Sequence, residues 1–333
     1  MDKQEKSCIF KELIIQKLQS MLFDKFRTQF PDEESCINYL KNLRLEQGIC
    51  CKKCEEETEH YWLPSIKSFQ CKICRSRKTV KSGTLFQDAN LPLLLCFEVL
   101  YLMTSSKKGY SALEIQRQVE HSRYEPIWYL CQKIRYAMGE RDALYQLKGL
   151  LEIDDAFFKV VDKKKEEEKE IEPKENAPLK RGRGSEQQQV VMVMTEYEPK
   201  EQKSKPYRKQ SGLKYIKMMV MDNLEADNVN EKVQENVHKD SSAKTDGYGS
   251  YAKLKKIIKG HDRQVIPAKQ AHKKLPWVHT IIGNAKKKIR GIHHSVSRDY
   301  LQNYLNEFAY KVNRRFFDSI LDRSLIMAAN HQW

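Results

Sequence analysis

Two Cys-x-x-Cys knuckles, Cys51-Lys-Lys-Cys54 and Cys71-Lys-Ile-Cys74, constrain this chain more than any other stretch. A segment of ordinary hairpin length separates them and carries Tyr61-Trp62-Leu63. Four thiolates joined by one hairpin converge tetrahedrally on a single zinc ion, the arrangement of a zinc ribbon. With all four coordination positions filled by protein, no place is left for water, so the metal is structural. The bland alternative is a core thiol at Cys50 or Cys51 in a site that has decayed. Lys52, Lys53, Arg75, Arg77 and Lys78 crowd the knuckles with positive charge suited to phosphate contact.

The charge balance points the same way. Across 333 residues the formal net charge is +15, which makes a polyanion the expected partner, nucleic acid ahead of an acidic membrane surface. A Lys-rich composition also arises from an AT-rich genome, the duller explanation. No run of about 18 apolar residues occurs and the opening Met-Asp-Lys-Gln-Glu-Lys has no signal-peptide character, so a cytosolic protein and no membrane partner are expected. The nine cysteines are then thiols or metal ligands rather than disulfides.

Before the ribbon, apolar positions at helical spacing from about Phe10 to Leu45 predict a short helical pair, the second member opening at Pro31 with Asp32, Glu33 and Glu34 in its first turn. After it, Leu93 to Met103 is strongly apolar, Gly109-Tyr-Ser111 breaks the pattern, and Ser111 caps a helix from Ala112 to Val119 with Glu114 at the capping-box position. A third helix, Glu125 to Leu147, places Trp128, Cys131, Ile134, Met138 and Leu144 on one side, with Lys133, Arg135 and Arg141 elsewhere. Helix, short turn and basic helix predict a helix-turn-helix that reads DNA. A plain helical hairpin is the alternative.

Leu151-Glu-Ile-Asp-Asp-Ala-Phe-Phe158 reads as a buried strand holding Glu152, Asp154 and Asp155. A carboxylate in a core strand costs several kcal/mol, of order 2–7, unless it is paired or bound to a cation, which makes Asp154 or Asp155 a candidate metal ligand. The rival reading is an exposed edge strand with acids facing water. Residues 162–186 are a charged insertion ending in the basic Lys180-Arg-Gly-Arg-Gly184. Val190 to Thr195 and Tyr215 to Met221 are strand-like runs that complete a sheet begun at Leu151, and Asn223 to Val237 is weakly helical. A short strand from Ser242 ends at Asp246 and turns on Gly247. A long helix from Ser297, its expected cap, to about Phe317 buries a face of Leu301, Tyr304, Leu305, Phe308, Ala309, Val312 and Phe316. Lys311, Arg314 and Arg315 near its end suit the dipole and stand available to DNA.

Asp154 and Asp246, strand-borne and distant in sequence, followed by a polar cluster near a helix, are the skeleton of a two-metal phosphoryl-transfer site. Over nearly its whole length the chain resembles the zinc-ribbon DDE transposases of bacterial insertion sequences, the ISXO-type family. Gly48 to Cys54, Tyr61-Trp-Leu63, Cys71 to Cys74, Ser82-Gly-Thr-Leu-Phe86, Glu152-Ile-Asp-Asp155, Lys180 to Gly184, Thr245-Asp-Gly-Tyr-Gly-Ser-Tyr251, Trp277-Val-His279 and the closing run Tyr300 to Arg315 carry the resemblance.

The resemblance implies an α+β multi-domain chain: an N-terminal helical segment (1–47), a zinc ribbon (48–88), a helical, helix-turn-helix-like DNA-binding region (89–148) and an RNase H-like α/β catalytic domain (149–333). It implies Asp154 and Asp246 as acids holding Mg2+ or Mn2+, with structural Zn2+ on Cys51, Cys54, Cys71 and Cys74. No Glu lies between Asp246 and Glu307, so the family's third acid is replaced; His279 and Asn284 are alternative or joint third ligands, and Lys286 is a phosphate contact. Implied partners are DNA, as element ends and target, and further copies of the chain, in a bacterial, nucleoid-associated setting. A DNA-binding derivative without nuclease activity and a metal nuclease without strand transfer are the rival functions.

Overall fold

The computed structural model describes residues 23–161, 187–198, 212–265, 271–317 and 319–330. The charged insertion and the basic Lys180 to Gly184 stretch lie outside them. The chain divides into two compact units, Met1–Ala137 with Asp318–Trp333, and Met138–Phe317. The last helix therefore belongs with the N-terminal unit instead of extending the second.

In the first unit, residues 23–29 are helical and α1 (Glu33–Gln47) follows. Asp32 starts α1 through a capping box, its Oδ1 accepting the Ser35 N–H at 2.8 Å while the Ser35 hydroxyl oxygen accepts the Asp32 N–H. The ribbon comprises a hairpin of β1 (Cys50–Cys51) and β2 (Glu56–Glu57), then an antiparallel meander of β3 (His60–Leu63), β4 (Ser68–Cys71) and β5 (Arg77–Thr79). Arg44 pins α1 to this meander: it is buried over the Phe69 ring and donates to the carbonyls of Thr79 and Val80.

Beyond the ribbon come α2 (Leu93–Ser105), α3 (Ala112–Gln118) and α4 (Tyr124–Ala143). Ser111 caps α3 by accepting the Glu114 N–H. Phe26, Phe30, Phe86, Phe97 and Tyr101 form an aromatic core with α2. The closing helix, residues Ile320–Asn330, packs on α1 and α2 and accepts the Leu85 N–H at Ala328 O. The assignment of polar and apolar sides along α4 needs correction. Arg135 is fully buried and Leu144, beyond the helix end, is 78% exposed, because the amphipathic phase of this helix is set by what it packs against rather than by residue type.

In the second unit, β6 (Leu150–Lys159), β7 (Gln188–Tyr197) and β8 (Leu213–Met221) form an antiparallel meander; β9 (Ser242–Thr245) runs parallel to β6, and β10 (Gly260–Arg263) parallel to β9. Together they make a five-stranded sheet ordered β10-β9-β6-β7-β8. Both faces of β6 are covered, which is why apolar residues occur at both odd and even positions along it, around the acids Glu152, Asp154 and Asp155. Leu151 and Ile153 face α5 (Ala226–Asn236) with Tyr251 and Leu254, whereas Ala156 and Phe158 face α6 (Pro276–Lys288) and α7 (Leu301–Asn313).

The outer edge of β8 would otherwise expose unpaired backbone groups. Side chains of α7 occupy it. Gln302 accepts the Val220 N–H and donates to Met218 O, and Asn313 accepts the Ile216 N–H and donates to Ile216 O. Arg315 donates to the carbonyls of Leu213 and Lys214. Asn313 also donates to Asp142, which pairs with Arg314 at 2.7 Å. Lys311 is buried and lies 3.8 Å from Glu307.

Three expectations for this region are corrected. Phe316, expected on the buried face, lies beyond the helix end and is 72% exposed. Of the cations near the end of α7, Lys311 and Arg314 are buried inside the unit and do not stand available to DNA, while Arg315 is half-buried against β8. Ser297 precedes a single 3-10 turn, Arg298–Tyr300, and makes no side-chain cap bond, so α7 itself begins at Leu301.

Candidate active site

The ribbon cysteines come together as their spacing requires. After each knuckle one residue turns into the left-handed region, Glu55 at φ 61° and Arg75 at φ 59°, and its N–H bonds back to the first cysteine's carbonyl. The Sγ atoms of Cys51, Cys54, Cys71 and Cys74 all lie within 4.8 Å of one another, with Cys51 to Cys74 at 3.5 Å and Cys54 to Cys71 at 3.9 Å. A tetrahedral zinc with Zn–S of about 2.3 Å has sulfur–sulfur edges of about 3.8 Å, so the four thiols fit that ion. Lys52, Lys53, Arg75 and Arg77 are exposed around the knuckles, and Lys78 is half-buried.

The second cluster forms where β6 and β9 run side by side. Their last parallel rung pairs Ile153 with Thr245, so Asp154 and Asp246 are the next residues on neighbouring strands, spaced by about 4.8 Å between backbones. Successive side chains on a strand point to opposite faces. Glu152 and Asp154 therefore share the face covered by α6, and Asp155 takes the other face, where it accepts a 3.4 Å hydrogen bond from the hydroxyl of buried Tyr251. The Asp154 Oδ1 accepts the Asp155 N–H at 2.9 Å, and the Asp246 Oδ1 accepts the Tyr248 N–H at 3.0 Å.

Helix α6 supplies the remaining groups. His279 Nε2 lies 3.7 Å from Asp154 Oδ2. Lys286, seven residues on, returns to within about 20° of the same side of the helix. Its ammonium sits 5.5 Å from the Phe158 ring centroid and acts electrostatically on Asp154. Asn284 is about 140° around the helix from His279 and exposed, so the structure brings His279 and Lys286 to Asp154 and leaves Asn284 outside the cluster. Glu307, the other carboxylate considered for the third position, is buried in a 2.7 Å ion pair with Lys288.

Electrostatics mark the site as short of positive charge. The Asp154 carboxyl is pushed up to about 7 by burial, then by the negative charges of Asp155 and Asp246, with Lys286 partly offsetting them. Burial lowers Lys286, and Asp154 opposes that shift. Burial, and after it Asp155, Asp154 and Asp246, carry the Tyr251 phenol well above its ordinary value. Crowded carboxylates midway along β6 and at the end of β9, with one imidazole, form an oxygen-rich donor set that fits a hard divalent cation such as Mg2+ or Mn2+. Among the described residues this cluster is more open than the cysteine site, which alone gathers at least three ligand atoms within 4.8 Å of one another.

Two contributors were not among the residues expected at the site. Glu152 is 2% exposed, and its Oε2 accepts the backbone N–H groups of Trp277 and Val278 at the start of α6. Burial raises its carboxyl, and those two bonds oppose the rise. His261 of β10 shares a 2.9 Å hydrogen bond with the hydroxyl of Thr245, the residue before Asp246. Glu152 stands in the Glu152-Ile-Asp-Asp155 run and shares a strand face with Asp154, but nothing in that run names its partners on α6.

Comparison with known families gives two matches. The ISXO2-like transposase domain matches residues 146–313, and the transposase zinc-ribbon domain matches residues 31–77. No curated protein matches the chain.

Proposed function

The chain belongs to the ISXO2-like transposase family, and on that premise we propose that it cuts and joins DNA at the ends of its own insertion sequence. One observation carries the reading: Asp154 and Asp246 directly follow a shared parallel rung, and Asp154 meets the helix that brings His279 and Lys286. The sheet supports an RNase H-like assignment, being an antiparallel meander continued by two parallel strands with helices on both faces.

Magnesium or manganese, when bound here, supplies the Lewis acidity that phosphodiester cleavage and in-line strand transfer need. Asp154 and Asp246 hold the cation through oxygen, and His279 completes or orients that set. Lys286 meets the phosphate of the DNA strand. The exposed cations of the ribbon and the helices α3 and α4 bind the element ends, so affinity falls steeply with salt. Joining two ends requires copies of the chain to act together. No described helix is long and apolar enough to cross a membrane.

The test is strand transfer by the full chain with Mg2+ or Mn2+ on labelled duplex carrying the sequences that flank the gene, beside Asp154→Ala. Joined products that vanish in the variant support the reading. Tight, salt-sensitive binding without cleavage in either metal sinks it in favour of a DNA-binding derivative that has lost catalysis.

A further inference from the structure

We propose that Glu152 is a positioning residue: it locks the helix carrying His279 and Lys286 onto the strand carrying Asp154 and so sets the separation of the metal-holding groups, a role that rests on the catalytic reading above. Helix α6 begins after Leu275, whose side chain can accept nothing, so its first-turn N–H groups lack a local cap. A single oxygen of Glu152, Oε2, accepts two of them, Trp277 at 2.8 Å and Val278 at 2.9 Å, from more than a hundred residues away. The negative charge also lies at the positive end of the helix dipole.

Geometry turns this cap into a positioning device. Residues 152 and 154 stand on one face of β6, separated by about 6.7 Å along the strand. His279 immediately follows the clamped Trp277 and Val278. Strand and helix are thus tied at a point adjacent to the 3.7 Å approach of His279 to Asp154, and slack in the tie widens that approach. The other unit contains the same device in a different setting. Glu33 accepts the N–H groups of Leu93 and Leu94 at the start of α2, a helix that fills an apolar core. Glu33 is therefore the natural control for a cap that only stabilises.

The test compares Glu152→Ala, Glu152→Gln and Glu33→Ala in the full chain. Amide hydrogen exchange of residues 276–288 is measured without metal, Mn2+ affinity by calorimetry, and cleavage of duplex carrying the gene's flanking sequences as separate kcat and KM. Glu152→Ala is expected to speed exchange in 276–288 and to weaken Mn2+ binding by about tenfold or more, as loss of an orienting partner does at metal sites. It should lower kcat by a similar factor, with KM for DNA within about twofold. In Glu152→Gln the side-chain amide oxygen can still accept both N–H groups, so that variant should restore exchange and affinity to within about threefold of wild type.

Glu33→Ala should lower the melting temperature and leave Mn2+ affinity unchanged. Unaltered exchange in Glu152→Ala overturns the proposal, as does a loosened helix with unaltered Mn2+ affinity. A wild-type chain that fails to cleave, yet loses Mn2+ affinity on Glu152→Ala, keeps the positioning role and removes the strand-transfer reading. A wild-type chain that binds no Mn2+ removes both.

Discussion

His279 Nε2 stands 3.7 Å from Asp154 Oδ2, with one residue on the central strand and the other in the first turn of a helix. The resemblance offers His279 and Asn284, as alternatives or together, for the place of the third carboxylate, and His279 is the one that approaches Asp154. Exchanging it for Glu adds a negative charge and an oxygen donor where a hard cation needs them. We expect His279→Glu to bind Mg2+ about tenfold more tightly than wild type, and His279→Ala to lose at least about tenfold in cleavage rate. Calorimetry and single-turnover cleavage check this; unchanged Mg2+ affinity in both variants would remove His279 from the site.

Asp154 makes the metal-free protein pH-sensitive. Its carboxyl is raised from an ordinary 3.8 to about 7, chiefly by burial. The stability contributed by the neutral form is fully present below the unfolded value of 3.8 and is lost as pH rises through about 7. Asp154→Asn cannot ionise, so at about pH 8 it should be more stable than the metal-free wild type by about 2–4 kcal/mol, with the difference vanishing near about pH 4. The variant should not cleave DNA. Denaturation without metal at several pH values checks the sign, and a pH-independent difference would contradict it.

The cysteine cluster predicts about one zinc per chain. Stripping it with a chelator, or substituting Cys74→Ser, should unfold the ribbon, because short strands with so small a core depend on the metal. DNA binding should fall while the β6 to β10 sheet remains folded. Metal analysis with circular dichroism and an electrophoretic shift tests this. A ribbon that keeps its hydrogen-exchange protection without zinc would refute it.

Asn313 bonds both backbone groups of Ile216 as well as Asp142 and the Tyr145 hydroxyl. Asn313→Leu fits the volume and leaves these buried groups unpaired, so a loss of about 3–4 kcal/mol is expected. The freed edge of β8 should also favour self-association at high concentration. Urea denaturation and sedimentation measure the two effects. A loss under about 1 kcal/mol would show that water replaces the side chain.

Local chemistry is what the sequence determined by itself. Cysteine spacing announced the zinc cluster, Ser111 and Asp32 announced helix starts, the run around Asp154 announced a buried strand and Asp246 the end of another, since each signal is carried by neighbours along the chain. Tertiary structure decided the partners. Glu152 reads as one more acid beside Asp154 until the fold sets the start of α6 against it, and Arg314 and Arg315 read as DNA contacts until the fold sets Asp142 and the β8 edge beside them. Helical phase likewise separated Lys286 from Asn284, which lie two residues apart. A buried polar group must find a partner, but which one it finds depends on chain segments a hundred residues distant, and linear spacing does not encode that choice.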